Sequence, residues 1–406
     1  MLEIPSHRRH ENAVRLYDRN FVLALASQTC FVIANTLMTH YARWVEFLGG
    51  NLRQVGWVMG IGAASGLLFR PWLAQLINRL GAKRCWGIGY AVFAASSLLN
   101  LALVDIGPLI YLARSANVLG AAIVFASGLT YISQIAPEPR RTEAIGILGV
   151  GGFLGMLIGP FFGDFLLGNT VDIASRSRES FMNLFVVSAV ANAIPALLLL
   201  TLRPSAAKSE RKTLRISDFF ATTRKHWPGT ILLVDFAFGV CMAGPFVFAA
   251  SYIDDTPLVL NGVSELGFFF WCYASVGIAT RLTLRRLPDL VGARPVLLAG
   301  MLIMTVGMFA YCLVSKEFPW LLAIPAVLTG LGHGLMFHTM TSLTIEPFPL
   351  EVRGTGSALA LMMLDLGMFL GAPVLGLVGD MFGYAALFCT IAVSTLISAI
   401  IYWRFN

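Results

Sequence analysis

The chain has 406 residues, of which 57% are apolar and only 13% charged, where an ordinary soluble domain carries about a quarter charged residues. With a mean hydropathy of +0.75, this composition excludes a soluble enzyme, a disordered chain and a secreted disulfide scaffold. The +7 formal charge, from 29 Lys/Arg against 22 Asp/Glu, then belongs to loops on one face of a membrane rather than to a nucleic-acid surface.

In chain order, Met1–Asn20 is charged (Arg8, Arg9, Glu11, Arg15, Asp18, Arg19) and lacks a small-residue cleavage site, so it reads as a retained cytoplasmic tail. Twelve apolar segments follow: Phe21–His40, Arg53–Ile77, Cys85–Val104, Pro108–Ala136, Ala144–Leu167, Phe181–Leu202, Gly229–Tyr252, Val263–Leu284, Pro295–Val314, Pro319–Ile345, Gly354–Val378 and Tyr384–Trp403. Each is long enough, at 1.5 Å per residue, to cross ~30 Å of hydrocarbon as a helix. The ~10-residue alternating segments of a membrane β-barrel do not occur. The longest connection, Arg203–Pro228, is basic (Lys208, Arg211, Lys212, Arg215, Arg224, Lys225). It divides the chain into an N-terminal bundle (1–202), a linker (203–228) and a C-terminal bundle (229–406). Within it Thr213–Thr223 reads as a short surface helix, and its charges suit a tether or an anionic lipid surface.

Orientation follows from the basic residues. Most of the 29 Lys/Arg fall in the tail, the even-to-odd connections and the last residues, which places both termini in the cytoplasm. The opposite loops hold Arg43, Arg53, Arg176, Arg178 and Lys316, while Arg70 and Arg114 lie within spans and Arg281 at the mouth of its loop. The six cysteines all sit in apolar runs without CxxC spacing and read as core residues, with no metal site and no disulfide framework.

The two halves repeat. Arg70, Leu73, Leu76, Asn78, Gly81, Ala82 and Lys83 recur 211 positions later as Arg281, Leu284, Leu287, Asp289, Gly292, Ala293 and Arg294. Gly120, Pro137, Arg141, Gly155 and Gly159 recur at 212 as Gly332, Pro349, Arg353, Gly367 and Gly371. Parallel six-helix repeats about an axis along the membrane normal are a transporter architecture. The loop after span two, Ala74-Gln75-Leu76-Ile77-Asn78-Arg79-Leu80-Gly81-Ala82-Lys83-Arg84, resembles the basic signature of the major facilitator superfamily, and the resemblance covers the whole chain. It implies an all-α polytopic membrane protein with twelve transmembrane helices in two six-helix bundles around a central cavity. Asn78 stands where the family carries the aspartate that latches one face to the opposite half, with Arg79, Gly81, Lys83 and the second-half Asp289 as companion gating residues. Arg114-Ser115-Ala116-Asn117-Val118 in span four resembles the family's intramembrane arginine motif. Gly146-x8-Gly155-x3-Gly159-Pro160-x2-Gly163-Asp164 in span five resembles its antiporter pattern and implies export in exchange for protons.

Physically, Gly151, Gly155, Gly159 and Gly163 form one helix stripe that lets another helix approach, and Pro160 bends it; the reading is a kinked, rocking contact between the halves, with plain packing as the alternative. Ionisable groups at membrane depth are functional hypotheses by default. Arg114, with Asn117 a turn away, is a candidate for an anionic substrate group or a proton gate. His333 and His338 lie ~140° apart around span ten, too far for a single-helix metal pair, and each is either a titrating group or a neutral one satisfied by Thr329 or Thr341. Asp365 in mid-span eleven, ahead of Asp235 near one end of span seven, is the favoured proton carrier. Asp164 and Asp380 read as solvated helix ends. Aromatics on span seven suit an amphiphilic or ring-bearing substrate. The partners expected are a small molecule and the lipid bilayer of an inner membrane, for a monomer that needs no cofactor and binds no metal. Uptake or uniport, a non-transporting receptor and a membrane enzyme are the competing readings; for the last, no HExxH, phosphate loop or nucleophile motif occurs.

Overall fold

A computed structural model describes residues 16–137, 140–172, 175–203, 216–260, 263–284, 286–349 and 352–406. Helix α1 (Arg19–Thr36) passes through a 3-10 turn, Leu37–His40, into α2 (Tyr41–Phe47). Then come α3 (Leu52–Leu80), α4 (Ala82–Leu99), α5 (Pro108–Ile135), α6 (Arg141–Leu166), α7 (Arg178–Ala191) and α8 (Ala193–Thr201). Helix α9 (Ile216–Lys225) lies in the connection between the halves. The second half holds α10 (Ile231–Ala243), a π-helical turn at Gly244–Phe248, α11 (Ala249–Asp255), α12 (Leu266–Thr283), α13 (Leu287–Val291), α14 (Ala293–Ala310), α15 (Ala323–Ile345) and α16 (Arg353–Phe405). Between α11 and α12 the two-residue strands β1 (Val259–Leu260) and β2 (Val263–Ser264) pair antiparallel.

Nine helical stretches among the described residues are long and apolar enough to cross a membrane. One of them, α16, runs for 53 residues but breaks at Gly383, whose φ of +81° is not helical, so it is two arms. Helices α3 and α12 carry Arg53, Arg70, Arg79 and Arg281 within them. The first expected span is longer than hydropathy alone suggests: it continues through α2 to Phe47, which moves Arg43 from a loop into a helix. The expected surface helix is α9, whose bounds overlap Thr213–Thr223; Thr213, Leu214 and Arg215 lie outside the described residues. Phe219 of α9 packs on the small cluster of Leu232, Phe348 and Leu359, whereas Phe220 is exposed.

Local rules set these boundaries. Asn51 and Gln54 close a reciprocal capping box at the start of α3. Gly81 (φ +84°) ends α3 and opens α4, and its repeat counterpart Gly292 (φ +94°) ends α13 and opens α14; a backbone of that hand favours glycine.

The repeat is visible in the packing. Helices α1 and α6 pack together in the first half as α10 and α16 do in the second, and the halves meet along two seams, α3 with α16 and α6 with α12. We call the end of the bundle that holds both described termini the terminal side and the opposite end the distal side.

The glycine stripe on α6 sits elsewhere than expected. Gly151 faces Thr29, Gly155 faces Val32, Gly159 faces Thr36 and Gly163 faces the ring of His40. All four partners belong to α1 and its 3-10 continuation, so the stripe seats the first helix of its own half rather than joining the halves. Gly367 and Gly371 do the same for α10, against Phe236, Gly239 and Val240. The inter-half glycines are others. Gly56 lies against the Ala372 carbonyl, Gly60 against Pro373, and Gly376 against the Leu52 carbonyl and Gly56. On the second seam, Gly277 faces Phe153.

Candidate functional site

At the distal side a buried charge network crosses between the halves. Arg43 is 0% exposed. Its Nε and Nη2 donate to the two oxygens of Asp254 at 2.9 and 2.8 Å, its Nη1 donates to Asp164 Oδ1 at 2.6 Å, and Nη2 also donates to Ser264 Oγ at 2.9 Å. Arg176 Nη1 donates to Asp254 Oδ2 at 2.6 Å, and the Gly267 N–H donates to Asp164 Oδ2 at 2.7 Å. His40 completes the set. Its Nε2 lies 3.0 Å from the Pro160 carbonyl, which only accepts, so Nε2 carries the proton and Nδ1 accepts from Arg43 Nη1 at 2.9 Å. The imidazole is therefore neutral here. Pro160 thus supplies an acceptor as well as a bend, and Gly163 leaves the room that the His40 ring fills. Asp164, expected to be solvated, is 2% exposed and doubly bonded; Arg43 is buried within a helix, and Arg176 is buried although it lies in the connection before α7.

Deeper in the α3–α16 seam, Arg70 Nε donates to Asp365 Oδ2 at 2.5 Å and Nη2 to Oδ1 at 3.1 Å. This fork-to-fork pair links the halves, and it keeps some access to solvent, with 14% and 11% side-chain exposure. Gly66 lies against the Asp365 carboxylate, leaving no room for a Cβ. Asp365, the expected proton carrier, is therefore an ion-pair partner in an inter-half contact.

The α6–α12 seam carries the repeat counterparts of these residues. Arg281 corresponds to Arg70, Gly277 to Gly66 and Phe153 to Asp365. Arg281 stacks its guanidinium over the Phe153 ring, 4.8 Å from the centroid, and lies against the backbone of Gly149. Its Nε is buried without a hydrogen-bond partner. His333 is buried and shares a hydrogen bond with Tyr273; Thr329 and Thr341 instead donate to the carbonyls of Pro325 and Phe337. Phe153, Phe238 and Phe337 surround the His333 ring at 5.1, 5.2 and 5.7 Å. His338 points toward Gly149 and is exposed. A Cβ on Gly152, three residues along α6 from Gly149, would meet nothing within 4 Å. The halves are thus held together at the distal side by buried charges, while Arg70, Asp365 and His338 keep some exposure.

The other candidates separate. Arg114 stacks on the Tyr41 ring at 5.0 Å and reaches Asn117 Oδ1 at 3.4 Å, while its own Nε and Asn117 Nδ2 are buried without partners. Asp235 is 0% exposed, not interfacially solvated: one oxygen accepts from Thr344 at 2.6 Å and the other has no partner. Lys83 donates to the carbonyls of Leu200 and Leu202 in its own half. Arg79 and Asp289 are exposed, and Asp289 makes no ion pair with a described residue. The Asn78 side chain lies outside the described residues. Gly146 has open space where a side chain would be.

Four charged residues of weight escaped the reading as site candidates: Arg43, Asp254, Arg70 and Arg281. The repeat offset was the available signal, because Arg70 and Arg281 occupy one repeat position and Arg43 and Asp254 another. Hydropathy could not reveal their partners, since those come from across a seam.

A family model described as Major Facilitator Superfamily matches residues 20–292 and 262–406. An uncharacterized MFS-type transporter of Methanocaldococcus jannaschii is 22% identical over 95% of this chain and 98% of its own length. A protein of Yersinia pestis that carries the name multidrug resistance protein MdtD is 24% identical over 77% of this chain and 76% of its own. Among solved structures, a point mutant of the nucleoside transporter NupG superposes with a TM-score of 0.76 at 13% identity, covering 97% of this chain and all of that one. A D-xylose–proton symporter superposes with a TM-score of 0.72 at 13% identity, covering 95% and 97%.

Proposed function

The chain belongs to the Major Facilitator Superfamily, a multi-pass membrane transporter and not an enzyme, and on that premise we propose that it exports a small organic molecule in exchange for protons. The two bundles, 1–202 and 229–406 about the linker 203–228, act as bodies that rock around the central space, with α3, α12 and the two arms of α16 counted among twelve crossings. The terminal side faces the cytoplasm, because the basic connections gather there; the membrane is the inner one, and the working unit is a monomer.

The observation that carries the coupling is the Arg70–Asp365 pair in the α3–α16 seam. While the seam is parted, Asp365 stands without its cation and holds a proton. When the seam closes and the interior opens to the terminal side, Arg70 takes the carboxylate and the proton leaves toward that side. A proton thereby moves inward each cycle, and the return stroke carries substrate outward. MdtD's name supports the export direction by similarity, and the glycine–proline pattern of α6 supports antiport. A symporter would use the same pair, and the D-xylose–proton symporter of like fold favours that second reading.

The test is proton flux into proteoliposomes loaded with a pH-sensitive dye, over a panel of amphiphiles, sugars, chelators and aromatic acids. Substrate-triggered flux that Asp365→Asn abolishes while substrate exchange persists supports the reading. Labelled substrate that equilibrates with no proton movement in the wild type contradicts it.

A further inference from the structure

The surroundings of Arg281 lack the one group that its repeat counterpart has. Arg70 meets a carboxylate at Asp365, with Gly66 making room for it. At the equivalent place in the other seam, Gly277 makes room and Phe153 stands where the carboxylate would be. Arg281 is left with a ring under its face and no acid at its edge: none of the ion pairs among the described residues includes it. Stacking engages the face of a guanidinium, while its N–H groups point outward in the plane. Those donors remain free, and Nε is buried and unpartnered. An unpaired cation at this depth is costly, and no described residue supplies an anion to offset it. Phe153 lies under Arg281 and His338 beside it at Gly149; Phe153 also borders His333, which bonds Tyr273 and packs on Phe238 and Phe337. His338, close to the Arg281 Nη1 at Gly149, is exposed.

We propose that Arg281 is the anchor of a substrate site for organic anions that carry a flat apolar ring. The anionic group sits on the free N–H edge of Arg281, next to His338. The ring lies against Phe337, the half-buried edge of the aromatic cluster that holds His333. The inference deepens the transport reading by naming the substrate class, and its test does not depend on proton coupling.

Binding is measured on the full chain in detergent micelles, by thermal shift and calorimetry, with benzoate, salicylate and 1-naphthoate. The matched neutral amides and inorganic phosphate serve as controls. The site predicts that at least one aromatic carboxylate raises the melting temperature, that its amide binds at least tenfold more weakly, and that phosphate without a ring does no better than the amide. Arg281→Gln removes the ligand-induced shift and leaves the unliganded protein as stable as the wild type or more so, because a cation without a partner has been taken out. Arg281→Lys retains part of the binding. Two results would overturn the proposal: amide and acid binding alike or neither binding, and Arg281→Gln lowering the unliganded melting temperature with the carboxylate response intact, which would make Arg281 a latch between α12 and α6. Proton flux driven by a neutral substrate alone would end this proposal and leave antiport standing.

Discussion

Arg43 is the side chain on which the distal closure depends most. Its guanidinium reaches two carboxylates, a hydroxyl and an imidazole from four separate stretches of chain. Removing one partner of a buried pair leaves the other charge desolvated, at a cost of about 3–5 kcal/mol. Asp254→Asn should therefore lower the melting temperature by several degrees and shift the protein away from the distally closed conformer, which distal-side cysteine accessibility would register as faster labelling. Unchanged labelling would show that the network is incidental to closure. The sequence exposed the type of these residues but not their pairing. Asp164 sits at a helix end, where hydropathy suggests water, and only the approach of Arg43 from α2 makes that end dry. His333 was visible as a polar group in an apolar helix. Its partner Tyr273 comes from α12, which no periodicity could supply.

At the scale of the helix, two kinds of glycine look alike in sequence and do different work. Gly155 and Gly159 seat α1 inside one half, whereas Gly56 and Gly60 bring α3 against α16 of the other. An added methyl in a tight contact costs about 1–3 kcal/mol. At Gly155 that cost falls on the bundle itself, so Gly155→Ala should lower the melting temperature in either conformer. At Gly56 the clash is with the Ala372 backbone across the seam and exists only while the seam is closed. Gly56→Ala should then shift the conformational equilibrium by roughly 5–150-fold toward the distally open state, with a smaller loss of overall stability. Crosslinking across the seam checks this, and an unaltered yield would mean that α3 and α16 do not part there. The four-residue spacing on α6 gave the stripe and its tight fit. It could not say which neighbour fills the stripe, because both seams and both intra-half contacts ask for the same small residues.

For the whole molecule, the twofold repeat organises the account. The same positions furnish Gly81 and Gly292 at helix boundaries, the two glycine-seated first helices, and the seam arginines Arg70 and Arg281. Membrane class, span positions and the internal duplication were legible, since hydrophobic length and a constant offset survive in one dimension. What broke the symmetry, an acid in one seam and a phenyl ring in the other, acquires meaning only once the seams are formed. The proposed cycle opens one side as the other shuts, so distances across the two sides must change in opposite directions. The direct measurement is pulsed electron spin resonance between label pairs at repeat-related, exposed positions on a cysteine-free background. Asp105 with Lys316 reports the distal side, and Leu80 with Val291 the terminal side. Asp365→Asn takes away the carboxylate that holds Arg70 and so loosens the closed seam. The account predicts that in this variant the distal pair lengthens and the terminal pair shortens relative to the wild type. Distances that the substitution leaves unchanged, or that lengthen together on both sides, would contradict it.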